Sequence, residues 1–119
     1  METSYLILKC SQTILKLELK KITHFLVNDY LLTVFCLNKN SHSFCSSLKS
    51  MEDKLPENFF KINRNCIVNV NLIYSLQVKK REIIIQNDFR LKVAKSKWTE
   101  IKKKMILLNQ LNNGLENTN

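Results

Sequence analysis

The chain has 119 residues, 45% of them hydrophobic, with 19 Lys+Arg against 10 Asp+Glu and a formal net charge of +9. That suffices for one domain with its own core, is too apolar for a disordered chain, and includes no run of the roughly 18 apolar residues a membrane helix needs. Residues 1–60 hold 7 basic and 6 acidic side chains, whereas residues 61–104 hold 12 and 3, so the excess sits in one stretch that a fold can present to a polyanion.

The opening METSYLILKCSQ has an acidic residue at position 2 and an apolar run broken by Lys9, which is no secretory signal. The protein is therefore expected to begin here and stay cytoplasmic, without membrane insertion. A strand is expected at 4–10. In ILKLELK, Leu15, Leu17 and Leu19 alternate with Lys16, Glu18 and Lys20, the pattern of a half-buried strand. Further strands are expected at 22–27, 30–36 and 41–45. Gly114 is the one glycine, so asparagine and aspartate must supply the turns. Asn28-Asp29, Asn38-Lys39-Asn40 and Asn87-Asp88 each separate two strand-like runs.

Residues 47–55 set Leu48, Met51 and Leu55 on one helical face and stop before Pro56. Then comes FFKINRNCIVNVNLI, residues 59–73, a strand-like run that carries Arg64 between Asn63 and Asn65. Val68, Val70 and Leu72 alternate with Asn69 and Asn71 there. Strands follow at 73–78 and 81–86, and Phe89, Leu91 and Val93 alternate with Arg90 and Lys92. A closing helix is expected from Ser96, as N-cap, to about Leu111. Trp98, Ile101, Met105 and Leu108 form its apolar stripe, with Lys97, Lys102, Lys103 and Lys104 largely off it. The domain is taken as 1–105, followed by 106–119 as helix end and flexible tail.

Cys10, Cys36, Cys45 and Cys66 form no C-x-x-C pair, so reduced, mostly buried cysteines are expected rather than a metal site. A single tail glycine excludes a P-loop and a dinucleotide fingerprint, and neither G-x-S-x-G nor H-E-x-x-H occurs. Cys66 with His24 or His42 could formally make a nucleophile, but nothing in the sequence brings them together. No enzyme and no cofactor are expected.

FFKINRNCIVNVNLI resembles the central signature of LytTR-type DNA-binding domains, and IIIQNDFRLKVAKSKWTEIKKKM resembles their closing hairpin, strand and helix. Upstream, ITHFLVNDYLLTV and SSLKSMEDKLPENFF match the family's hairpin and its helix with the link that follows. The resemblance spans about residues 3 to 105. It implies a mostly β, elongated fold of about ten short strands in small packed sheets, with a mid-chain helix and a C-terminal helix. It also implies a transcription regulator binding direct repeats on double-stranded DNA, with loops entering successive major grooves and often bending the duplex. On this chain the base-contacting residues would be Asn63, Arg64, Asn65, Lys95 and Ser96, with Asn28 and Tyr30 from the hairpin. Arginine forks two donors to guanine and asparagine pairs with adenine, so the Asn-Arg-Asn turn suits major-groove edges. Lys61, Lys79, Lys80, Arg81, Arg90, Lys92 and Lys97 suit phosphates, which position without specifying.

Asn63 stands where the family commonly has histidine, Asn65 where it has serine and Cys66 where it has an aromatic; Val93-Ala94-Lys95 lacks a hydroxyl found there. Sequence preference is therefore open. The 119 residues hold no receiver domain, so control is expected from expression level, a regulatory protein partner, or association through the C-terminal segment; a homodimer on DNA is a further expected assembly. The alternative is a degenerate LytTR-fold interaction module that modulates another regulator through Ile106, Leu107, Leu108 and Leu111. RNA binding lacks an exposed aromatic stacking set, and the 96–111 segment is a marginal membrane-surface helix.

Overall fold

The computed structural model describes residues 4–113, with side chains to residue 106. Among them lie ten strands: β1 (Tyr5–Cys10), β2 (Thr13–Glu18), β3 (Ile22–Asn28), β4 (Leu31–Cys36), β5 (Ser41–Cys45), β6 (Phe59–Asn63), β7 (Cys66–Asn69), β8 (Ile73–Gln77), β9 (Glu82–Ile85) and β10 (Arg90–Lys92). Two α-helices join them, α1 (Leu48–Glu52) and α2 (Trp98–Asn113). The strands form a β1-β2 hairpin, a five-stranded sheet in the order β5-β4-β3-β7-β6, and a three-stranded sheet in the order β10-β9-β8. Each pairing is antiparallel. The molecule is elongated, 51 × 35 × 24 Å. The mostly β architecture of small packed sheets is the one the resemblance implied.

The five-stranded sheet is covered on both faces. On one side Leu6 and Leu8 of β1 and Leu48 and Met51 of α1 meet Phe25, Val34, Phe59 and Ile67. On the other, Ile73, Ile83, Ile85, Leu91 and Val93 of the small sheet and Ile101 of α2 meet Phe60, Ile62, Cys66 and Val68. This explains why Cys66–Asn69 shows no polar–apolar alternation: β7 is an interior strand, and alternate residues enter different cores. Ile62, Ile67, Ile83 and Ile101 are fully buried, each worth roughly 1.5–3 kcal/mol of transfer free energy.

Four details depart from the sequence reading. The alternation at Val68, Val70 and Leu72 is not one strand: the chain turns into a 3-10 helix at Val70–Leu72. Asn69 is the cause. Its Oδ1 accepts from the Asn71 N–H at 3.1 Å and the Asn58 amide at 2.9 Å, and its Nδ2 donates to the Ile22 carbonyl at 2.9 Å. Buried and bonded at both ends of its amide, it ends β7 and anchors the next segment. Second, Ser96 caps no helix: a 3-10 turn at Lys95–Lys97 leads straight into α2, and Ala94, without a side-chain acceptor, holds the cap position. Third, α1 is shorter than 47–55; Ser47 caps it by accepting from the Ser50 N–H at 3.1 Å, and the chain tightens after Glu52. Fourth, only two of the four free cysteines, Cys36 and Cys66, are buried; Cys45 is exposed.

The three expected turns form, with Asp29 (φ 57°) and Asp88 (φ 68°) in the left-handed region. Lys39 (φ 68°), not an asparagine, takes that conformation in the second, and Ser11 and Arg81 adopt it too. In a chain so poor in glycine, ordinary residues must bear this cost, roughly 1 kcal/mol each.

Candidate nucleic-acid interface

One end of the five-stranded sheet gathers two hairpin tips. β3 pairs with both β4 and β7, and Leu26 lies opposite Cys66 while Asn28 lies opposite Leu31. The Asn28–Tyr30 tip and the Asn63–Asn65 turn are therefore neighbours, tied by the Val27 N–H donating to the Asn65 carbonyl at 2.9 Å. Tyr30 is 85% exposed at that tip.

The Asn63–Asn65 turn is closed by its own side chain, with Asn63 Oδ1 accepting from the Asn65 N–H at 2.7 Å. The other end of the same amide donates from Nδ2 to the Lys92 carbonyl at 2.6 Å. Beside it, the Ala94 N–H donates to the Ile62 carbonyl at 2.8 Å. These bonds bring residues about 30 positions apart to one corner, where β6 ends and β10 passes into the Lys95–Lys97 turn. Arg64 and the Lys95–Lys97 segment thus share one side of the molecule. An open cleft of about 500 Å³ is lined by Lys61, Asn63, Arg64, Ala94, Ser96 and Lys97. A second, of about 460 Å³, shares Asn63, Arg64 and Ala94 and is walled by Asn65, Arg90 and Lys92.

Arg64 and Asn65 are exposed, and among the described residues the Arg64 guanidinium enters no hydrogen bond or ion pair. The cations around it are held in place. Lys92 Nζ donates to the Lys80 carbonyl at 2.7 Å, and the Val93 N–H to the Arg81 carbonyl at 2.9 Å, which sets the Lys79–Arg81 turn beside the end of β10. Lys97 and Lys104 stand over the Phe60 ring, 5.6 and 5.4 Å from its centroid. In the sequence Lys104 lies off the apolar stripe of the closing helix. Lys97 ends the 3-10 turn and Lys104 lies in α2, so it is the docking of α2 that brings both to this wall. Arg90 meets Glu82 at 3.7 Å, a largely exposed pair that adds little.

Beneath the turn, burial pushes the Cys66 thiol up to about 12, so it stays neutral. His24, two residues along β3 from the Cys66 partner, is buried and held down at about 4 by desolvation. Its ring stacks on Phe35 at 4.3 Å and meets Phe89 edge-on at 5.0 Å, and it shares no hydrogen bond with Cys66. Among the described residues no His, Cys, Asp and Glu gather as a metal-holding group, and no helix is long and apolar enough to cross a membrane. Ile106 is 59% exposed; the side chains of Leu107, Leu108 and Leu111, named above as a contact surface, lie outside the described residues.

The sequence profile of the LytTr DNA-binding domain matches residues 12–106. Among solved structures, the chain is similar to the LytTr DNA-binding domain of a Bacillus cereus protein described as a methyl-accepting/DNA response regulator. The TM-score is 0.72 at 23% identity, over 86% of this chain and 96% of that one, a likeness of fold. No curated relative matches by sequence. With four-fifths of its length inside the profile, and with the strand arrangement of a solved member, the chain belongs to the LytTR family of DNA-binding domains.

Proposed function

We propose that the chain is a transcription regulator that recognises specific double-stranded DNA sequences, reading major-groove edges with side chains from turns rather than from a recognition helix. Arg64 is the principal reader, with its two donors aimed at guanine O6 and N7. Asn65, Lys95 and Ser96 work from either side of it, and Asn28 and Tyr30 reach the adjoining bases. Lys61, Lys79, Lys80, Arg81, Arg90, Lys92 and Lys97 neutralise phosphates and set the register. A direct repeat would take two copies side by side along the duplex. The observation that carries this reading is the joining of the Arg64 turn to the β10–α2 corner, within a wall of cations and without a carboxylate lining either cleft.

The test is selection from random duplex DNA with the purified chain, followed by binding of the enriched site across a salt series. An enriched repeat is expected, with log affinity falling steeply against log salt. No enrichment, or a flat salt response, would overturn the reading.

A further inference from the structure

We propose that Asn63 does not itself read a base but acts as a positioning residue, fastening the Arg64 turn to the end of β10 so that Arg64 is held in place. The proposal rests on the DNA-binding reading above and narrows it.

A base-reading asparagine pairs with adenine through one Nδ2 proton and one Oδ1 lone pair together, so its amide must be able to turn that edge to the base. In this structure both ends of the Asn63 amide are engaged at short distances. Oδ1 accepts the Asn65 N–H at 2.7 Å, and Nδ2 donates to the Lys92 carbonyl at 2.6 Å. The two bonds use one Nδ2 proton and one Oδ1 lone pair, and between them they fix the orientation of the amide, so it cannot turn toward a base without loosening its own turn or its tie to Lys92. The side chain is half-buried, whereas Arg64 and Asn65 are exposed. The turn is also fastened on its far side, where the Asn65 carbonyl accepts from Val27 at 2.9 Å. Arg64 therefore projects from a turn that is clamped on both flanks, one clamp reaching β3 and the other β10. A long side chain on a fixed base loses less freedom when it forms a bidentate contact, which is how preorganisation raises affinity and selectivity.

The two jobs of Asn63 separate chemically. Asn63→Asp keeps an acceptor for the Asn65 N–H but has no donor for the Lys92 carbonyl, so it cuts the cross-link and spares the turn. Asn63→Ala removes both. Each variant is taken through random-site selection beside wild type and Arg64→Ala. A positioning role predicts that both Asn63 variants relax the same base pairs as Arg64→Ala, with affinity for the wild-type site lowered about 5- to 30-fold. It also predicts that Asn63→Ala costs little when added to Arg64→Ala, because the group it orients is already gone. Loss of preference at a base pair that Arg64→Ala leaves unchanged, or fully additive losses, would overturn the proposal.

Wild-type protein supplies a readout that does not depend on the variants folding. The Asn63 side-chain amide protons should exchange slowly before DNA is added, stay slow in the complex, and give no nuclear Overhauser contact to a base. A base contact from those protons, or fast exchange in the free protein, would overturn the assignment. If wild type enriches no site at all, the DNA-binding reading fails and takes this proposal with it; if wild type enriches a site and Asn63 owns a base pair, this proposal fails alone.

Discussion

Two turns of this chain have nearly the same sequence, Asn38-Lys39-Asn40 and Asn63-Arg64-Asn65, and nearly the same local chemistry. In each, the first asparagine's Oδ1 accepts the N–H two residues on, at 2.9 Å in one and 2.7 Å in the other, and a cation sits at the crest. They lie at opposite ends of the five-stranded sheet, between β4 and β5 and between β6 and β7. Around Asn38 the surface is mixed, with Tyr5, Lys16 and a Glu18–Lys21 pair at 3.0 Å. Around Asn63 the amide reaches on to Lys92, and Lys61, Arg90, Lys92 and Lys97 line the adjoining clefts. Three residues are enough to make a turn. A cross-link to a distant strand and a shared sign of charge are what distinguish one such turn as a candidate site.

Both turns hang on the same sheet, so the strongest way to break the comparison is to weaken the sheet. His24 is buried in β3 with its value held at about 4, against 6.5 for an ordinary histidine. As pH falls, the unfolded chain takes up this proton first. The stability tied to a neutral His24 is therefore whole above about pH 6.5 and drains as pH approaches 4, by about 3 kcal/mol. Urea unfolding at steps between pH 7 and 4 should show this loss, and His24→Gln should flatten it. A wild-type profile that stays level would mean that His24 is not held neutral.

The next effect separates the two turns directly. Arg64→Ala should cost about 1–3 kcal/mol of binding to the selected DNA site and relax base preference. Lys39→Ala, the same truncation on the matching turn, should leave both unchanged in a fluorescence-anisotropy titration. Equal losses from the two variants would mean that the corner built around Asn63 has no special standing.

Much of this was legible in the residues because strand periodicity and turn chemistry are local. Alternation in Leu15–Leu19 and around Leu91, and the Asn-Asp pairs, led to strands and turns within a residue or two of those observed. What was not legible depended on partners far along the chain. Asn69 looked like an outward residue of an alternating strand until its bonds to Ile22 and Asn58 drew it inside. Ser96 looked like a cap by residue type, but the cap position falls two residues earlier, at Ala94, which is tied to Ile62. Asn63 offers an adenine-pairing amide by residue type; its bond to Lys92 spans 29 positions and no local pattern announces it. The basic stretch was evident from charge counting, whereas the place of Lys104 beside Phe60 required the docking of α2.

Smaller effects sharpen the same contrast. Lys80→Ala removes one proposed phosphate contact, so it should weaken all duplex sequences alike and reduce the salt slope by about one, without shifting the selected site. The smallest expected change lies at the other turn. Lys39 holds φ at 68° with a full side chain, a conformation that disfavours most residues and that asparagine tolerates. Lys39→Asn should therefore raise stability by roughly 0.5–1 kcal/mol in urea unfolding. Because it also removes a cation, it tests both halves of the comparison at once. A gain in stability with DNA affinity unchanged means that this turn serves the fold alone. A loss of affinity would instead make the β4–β5 end part of the DNA surface, and the basic wall around Arg64 would no longer account for binding by itself.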